Sequence, residues 1–191
     1  YVQFINNKSR KLVDYLLSKM ENSIDVVIPR GGKNLVKKVK QLSKVPVIGH
    51  LEGICHTYID KEAEDNMANK IVLNAKLRNT SICGATETLL IHKRKSKSVN
   101  LILNSLAESG GKILADKKIS KLFKGKTYPA NNNTWSKEHL SPIISVKLVN
   151  DVKEAVAHIN KYGTMHTDAI VTKNKNTCLL YTSDAADEST C

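Results

Sequence analysis

Apolar positions along the chain follow two rhythms. Leu12, Val13, Leu16, Leu17 and Met20 recur at spacings of three and four, which marks one face of a helix over Ser9 to Met20. Ile24-Asp25-Val26-Val27-Ile28 is a β-branched run of strand length, closed by Pro29. The helical rhythm returns over Asn34 to Leu42, with Leu35, Val36, Val39 and Leu42 inward and lysines outward. Val2 to Ile5 and Val45-Pro46-Val47-Ile48 read as flanking strands. This strand–helix–strand–helix–strand order argues for parallel pairing, as in doubly wound α/β sheets.

The same alternation continues past Gly49. Ile54 to Ile59 is strand-like, and Lys61 to Lys76 is helical with Met67, Ile71, Val72 and Ala75 on one face. A short polar loop, Arg78 to Ser81, precedes Cys83; Glu87 to His92 is a strand, and Val99 to Ser109 a helix closed by Gly110-Gly111. Lys112 to Asn133 is weakly patterned and reads as irregular surface. Pro142 to Val149, Val152 to Asn160 and Thr167 to Thr172 complete a strand, a helix and a last strand. Beyond Thr177 the chain turns acidic, lacks Lys and continues no earlier rhythm, so 178–191 reads as a tail foreign to the rest.

Composition alters this picture little. At 41% hydrophobic and 25% charged, the 191 residues suit a globular α/β protein, and no stretch reaches the roughly 20 apolar residues of a membrane span. Tyr1-Val2-Gln3-Phe4-Ile5 has neither an initiator Met nor a signal-peptide layout, so the chain reads as starting inside a domain. The net charge of +12 invites a nucleic-acid partner, yet only Arg10, Arg30, Arg78 and Arg94 among the 30 basic residues are Arg, and aromatics are 5%. Arg and aromatic rings are what base recognition favours. No nucleic-acid or membrane partner is therefore expected. The cysteines at 55, 83, 178 and 191 form no Cys-x-x-Cys pair and match no zinc ligand set, so no metal is expected and free thiols are.

Two local constellations carry chemistry. Ile28-Pro29-Arg30-Gly31-Gly32-Lys33 joins a strand end to a helix start, where glycines let backbone approach a ligand and the helix N-terminus favours an anion. The alternative is an ordinary turn. Cys83, in Asn79-Thr80-Ser81-Ile82-Cys83-Gly84-Ala85-Thr86, sits in a loop between helix and strand, where a thiol could act as a nucleophile or simply fill space. Cys55 lies in an apolar strand and reads as filler. Glu52 is a general base by residue type alone. His50, His56, His158 and His166 read as structural or substrate-contacting rather than metal-ligating.

Several stretches together resemble one family. Asp25-Val26-Val27-Ile28-Pro29-Arg30-Gly31-Gly32, Gly49-His50-Leu51-Glu52-Gly53-Ile54-Cys55-His56, Cys83 through Leu90, and Tyr162-Gly163-Thr164-Met165-His166-Thr167-Asp168-Ala169-Ile170-Val171-Thr172 are similar to gamma-glutamyl phosphate reductase, of the aldehyde dehydrogenase superfamily. The resemblance runs to about residue 177. It implies a partial aldehyde-dehydrogenase-like α/β fold: 1–50 as the second half of an NADP-binding domain with a parallel nucleotide-binding sheet, and 51–177 as most of the α/β catalytic domain. It implies Cys83 as the nucleophile that forms a thioester with gamma-glutamyl phosphate, and NADPH as hydride donor. Arg30, Gly31 and Gly32 would lie at the cofactor phosphates, Glu138 at the nicotinamide ribose, and His166 at the substrate. The implied setting is cytoplasmic proline biosynthesis, with a homo-oligomeric parent enzyme. Gly84 departs from the family, which usually has Asn there. The family's N-terminal portion, with its oxyanion-hole asparagine, has no counterpart here, so the chain alone is expected to be inactive. Other readings are the reductase half of a bifunctional pyrroline-5-carboxylate synthase, a basic nucleic-acid-binding module, or, given the tail, a decayed gene product.

Overall fold

The structure is a computed structural model and describes residues 2–184; it divides into two units at the Glu52–Gly53 bond. In the first unit, helix α1 (Arg10–Lys19) buries Leu17 and helix α2 (Lys33–Leu42) buries Val36 and Val39. The two strands expected here contract to one parallel bridge, Val27 to Val47, made by the Val27 and Ile48 N–H groups. Val2 to Ile5 joins no sheet, and Val2 and Phe4 are exposed. The reason is local. A parallel ladder needs cover on both faces, whereas here Ile28 and Ile48 stay 71% and 61% exposed. An apolar hollow of about 370 Å³ lies within the unit, lined by residues such as Val13, Leu17, Val27, Pro29, Leu35 and Val39.

The second unit is built on a six-stranded, all-parallel sheet. Its strands are β1 (Cys55–Ile59), β2 (Thr86–His92), β3 (Lys112–Ala115), β4 (Tyr128–Pro129), β5 (Ile143–Val149) and β6 (Asp168–Val171), in the order β4-β3-β5-β2-β1-β6. Every residue of β1 and β2 is buried, as expected of central strands covered on both faces. Side chains alternate between two cores. Ile59, Leu89, Ile91 and Val146 face helices α3 (Asp65–Leu77) and α4 (Ser98–Glu108), whereas Tyr58, Leu90 and Val149 face helix α7 (Val152–Tyr162). Each such fully buried aliphatic side chain contributes roughly 1.5–3 kcal/mol.

Three local details differ from the sequence reading. Helix α3 turns Ala68, Val72 and Lys76 inward, and leaves Met67 and Ile71 at 53% and 37% exposed. A buried lysine on that face rotates the helix away from its most apolar stripe. The stretch from Lys112 is not irregular: it holds β3, helix α5 (Lys117–Leu122), β4 and helix α6 (Asn132–Trp135), with Ile113, Ile119, Phe123 and Trp135 buried. These elements are too short to show a period. Helix α8 (Lys175–Asp184) runs on past Thr177, and Tyr181 is 1% exposed, stacked on Tyr58 with its hydroxyl donating to the Ala169 carbonyl at 3.2 Å. The rest of the expected tail, 185–191, lies outside the described residues.

The two ends of the sheet differ in character. At the C-terminal ends of β1 and β6, buried Asp60 accepts from the Tyr58 hydroxyl at 3.2 Å, the Thr172 hydroxyl at 2.8 Å and the Glu62 N–H at 3.2 Å. At the N-terminal ends the chain is looped and carries the thiol.

Candidate active site

Cys83 occupies a tight turn just before β2, closed by the Ala85 N–H donating to the Ile82 carbonyl at 3.1 Å. Its thiol is half-buried, in a loop otherwise exposed at Ser81 and Ile82. The turn is pressed against the chain that leads into β1. A Cβ on Gly53 would stand 2.0 Å from the Cys83 carbonyl oxygen, so only glycine lets the two backbones meet. Behind it, the Cys55 thiol donates to the same carbonyl at 3.1 Å. Burial, and then the nearby Asp168 carboxylate, push the Cys55 thiol up to about 12, so it remains a neutral donor rather than a second nucleophile.

Two of the other expected site residues gather at the same place. Glu138 Oε1 accepts the Gly53 N–H at 2.9 Å, which fixes one carboxylate oxygen on the backbone behind the thiol turn. His166 Nδ1 lies 3.6 Å from Cys55 Sγ and 2.8 Å from Thr167 Oγ1, and enters from the loop before β6. In that loop Met165 takes a left-handed φ of 54° and stays 82% exposed. Thr164 Oγ1 accepts the Ile54 N–H at 3.0 Å and ties the loop to β1. The thiol, the glutamate and the histidine thus converge on Gly53, Ile54 and Cys55, at the N-terminal ends of β1, β2 and β6. Open doubly wound sheets usually place ligands at the opposite, carboxyl ends.

In the first unit, Arg30, Gly31 and Gly32 form the turn into α2. Gly32 is the N-cap, and no side chain caps the helix. A Cβ on Gly32 would meet nothing within 4 Å, and Arg30 is exposed. The free amides and the positive end of the helix are therefore open to an anion. Glu52, a base by residue type, is ion-paired with Lys33.

The remaining histidines support the scaffold. His56 is buried, and both its N–H and its Nδ1 meet Asp168 Oδ1 at 2.9 Å. His158 stacks edge-on to Trp135, and burial, assisted by the Lys147 ammonium, pushes its imidazole down to about 3.

No family model matches the chain. Among curated proteins, gamma-glutamyl phosphate reductase of Bartonella quintana is 43% identical over 173 residues, which are 91% of this chain and 42% of that protein. The crystal structure of gamma-glutamyl phosphate reductase from Thermotoga maritima superposes with a TM-score of 0.89 at 33% identity, over 96% of this chain and 44% of that one. Over nine tenths of its length the chain is similar to gamma-glutamyl phosphate reductases. It spans about two fifths of the length of the curated reductases it matches. The fold reaches further than the family. A glyceraldehyde-3-phosphate dehydrogenase from Methanocaldococcus jannaschii, complexed with NADP, superposes with a TM-score of 0.68 at 14% identity, over 91% of this chain and 46% of that one.

Around the thiol stand residues to which the sequence reading gave no role at the site. Gly53 and Cys55 flank Cys83 directly. Lys76 and Glu87 form an ion pair of 2.7 Å, with both side chains 1% exposed. A signal for that pair was present: Lys76 follows Ala68 and Val72 at four-residue spacing, and Glu87 interrupts a buried strand. A charge on each buried face requires an opposite charge nearby.

Proposed function

We propose that this chain is part of an NADPH-dependent reductase that converts gamma-glutamyl phosphate to glutamate 5-semialdehyde and phosphate. The observation that supports it most is the Cys83 turn, a half-buried thiol at a strand end with its carbonyl held from behind by Gly53 and Cys55, in a chain similar to gamma-glutamyl phosphate reductases.

In this reading the Cys83 thiolate attacks the acyl carbon, and the C–O bond to phosphate breaks as the thioester C–S bond forms. The thioester is a better hydride acceptor than a carboxylate, and covalent catalysis divides one hard step into two. Arg30, Gly31 and Gly32 would hold the cofactor's phosphates at the open N-terminus of α2, a fit supported by the uncapped helix and the exposed guanidinium. A reduced nicotinamide cofactor supplies the hydride when bound. Glu138 would turn toward its ribose while anchored to Gly53, and His166 would contact the substrate. Backbone N–H groups near Cys83 would receive the developing oxyanion.

The test uses a reductase completed around residues 1–177 and runs the reaction backwards, following phosphate-dependent formation of reduced cofactor from glutamate 5-semialdehyde. Cys83→Ser should lower the rate at least about 1000-fold while cofactor binding changes less than about twofold. Retained turnover would rule out Cys83 as the nucleophile. The 191-residue chain alone should give none.

A further inference from the structure

The Lys76–Glu87 pair brackets the thiol. Lys76 ends the inward face of α3 and Glu87 is the second residue of β2, so the loop carrying Cys83 is the chain between them. Both oxygens of Glu87 are engaged. Oε2 meets Lys76 Nζ at 2.7 Å, and Oε1 accepts the Leu140 N–H at 3.2 Å. Leu140 is held in a left-handed conformation at φ 49°, which a branched side chain rarely adopts unless neighbours enforce it. Two residues earlier Glu138 grips Gly53, whose backbone lies against Cys83. The thiol turn is thus reached from Glu87 by two routes, along β2 and through the 138–140 segment. Burial drives Lys76 downward and Glu87 upward, each resisted by the other. A pair this dry is an expensive way to gain stability alone, since apolar side chains of the same volume commonly do as well.

We propose that Lys76 and Glu87 are positioning residues: a buried clasp that fixes the Cys83 turn against Gly53 and the 138–140 segment. The proposal rests on Cys83 being the reactive group of the reductase. It assigns the clasp no contact with substrate.

Residue-resolved amide hydrogen exchange on the 191-residue chain tests it, alongside iodoacetamide labelling of Cys83 followed by peptide mass across pH. In the unaltered chain the Leu140 and Gly53 amides should exchange at least about 100-fold more slowly than free peptide. Free-peptide exchange at either overturns the clasp. Lys76→Met combined with Glu87→Leu removes both charges and keeps the volume apolar. In that variant the Ala85 and Leu140 amides should exchange at least about tenfold faster, with Val146 in β5 unchanged. The Cys83 labelling rate at pH 7 should move by about threefold or more, while Lys76→Arg, which keeps the pair, stays within about twofold. Unchanged exchange at Ala85 together with an unchanged labelling profile would make the pair merely structural and overturn the proposal. If the double variant does not fold, Glu87→Gln decides by the same two readouts. Neither readout needs turnover, so failure of the clasp and failure of the reductase reading are separate results.

Discussion

The Gly53 backbone lies so near the Cys83 carbonyl that no Cβ fits between them, whereas Gly84 has open space, so the two glycines of the site respond oppositely to substitution. Gly53→Ala would put Cβ 2.0 Å from a carbonyl oxygen that a buried thiol and the turn already hold in place. We expect it to cost at least about 2 kcal/mol, measured as a shift of the urea midpoint. Gly84, beside the nucleophile, has nothing within 4 Å of a Cβ and no left-handed φ, so Gly84→Asn should change stability by less than about 0.5 kcal/mol. Should the two behave alike, the packing of the thiol turn described above is wrong. Cys83 was legible in the sequence because a polar loop and a family motif surround it. Gly53 was not, because one glycine in a motif does not say what backbone will lie against it. Lys76 and Glu87 were written in the sequence as misplaced charges, yet their pairing spans a loop and needed the fold.

At the scale of elements, legibility followed length and burial. β2 and β5 each hold seven residues and α3 thirteen, enough for a period or an unbroken buried run to show. The elements between Lys112 and Trp135 run from two to six residues, shorter than two helical turns, and their helices hold their place by capping instead. Asp116 illustrates this. One carboxylate oxygen accepts the Ile119 N–H at 2.7 Å and caps α5, and the other accepts the Leu148 N–H at 3.2 Å from β5. Asp116→Ala loses both bonds and leaves a backbone amide of the sheet without its acceptor, so about 2 kcal/mol should be lost on chemical denaturation. A loss under about 0.5 kcal/mol would mean that the packing of Ile119 and Phe123, not the cap, holds this segment. The strands expected in the first unit failed for the opposite reason. Their β-branched runs were real, but a strand exists only with its neighbours.

For the whole molecule, acid is the informative perturbation. His158 is 4% exposed between β5 and the aromatic rings of Trp135 and Tyr162, and its imidazole is pushed down to about 3. The unfolded chain takes up that proton near pH 6.5 and the folded one only near 3, so the unfolded state binds more protons between those values. Its share of stability is present above about pH 7 and declines as pH falls toward 3; by pH 5 about 2 kcal/mol should be gone. His158→Phe, which keeps a ring against Trp135, should flatten the slope between pH 7 and 5 in urea titrations. An unaltered slope would place the acid sensitivity elsewhere. Among the described residues no helix is long and apolar enough to cross a membrane. The unequal ends of the six-stranded sheet have a further consequence. Asp60 takes three hydrogen bonds at the carboxyl end of β1, one of them from Thr172 just past β6, while the loops 78–85 and 163–167 lead into the opposite ends of β2 and β6. The sheet therefore behaves like a comb gripped by its spine. Segments 78–85 and 163–167 form its teeth, and their exposed positions, such as Ser81 and Met165, are where sequence can be exchanged to alter what the thiol meets without unpicking the ladder.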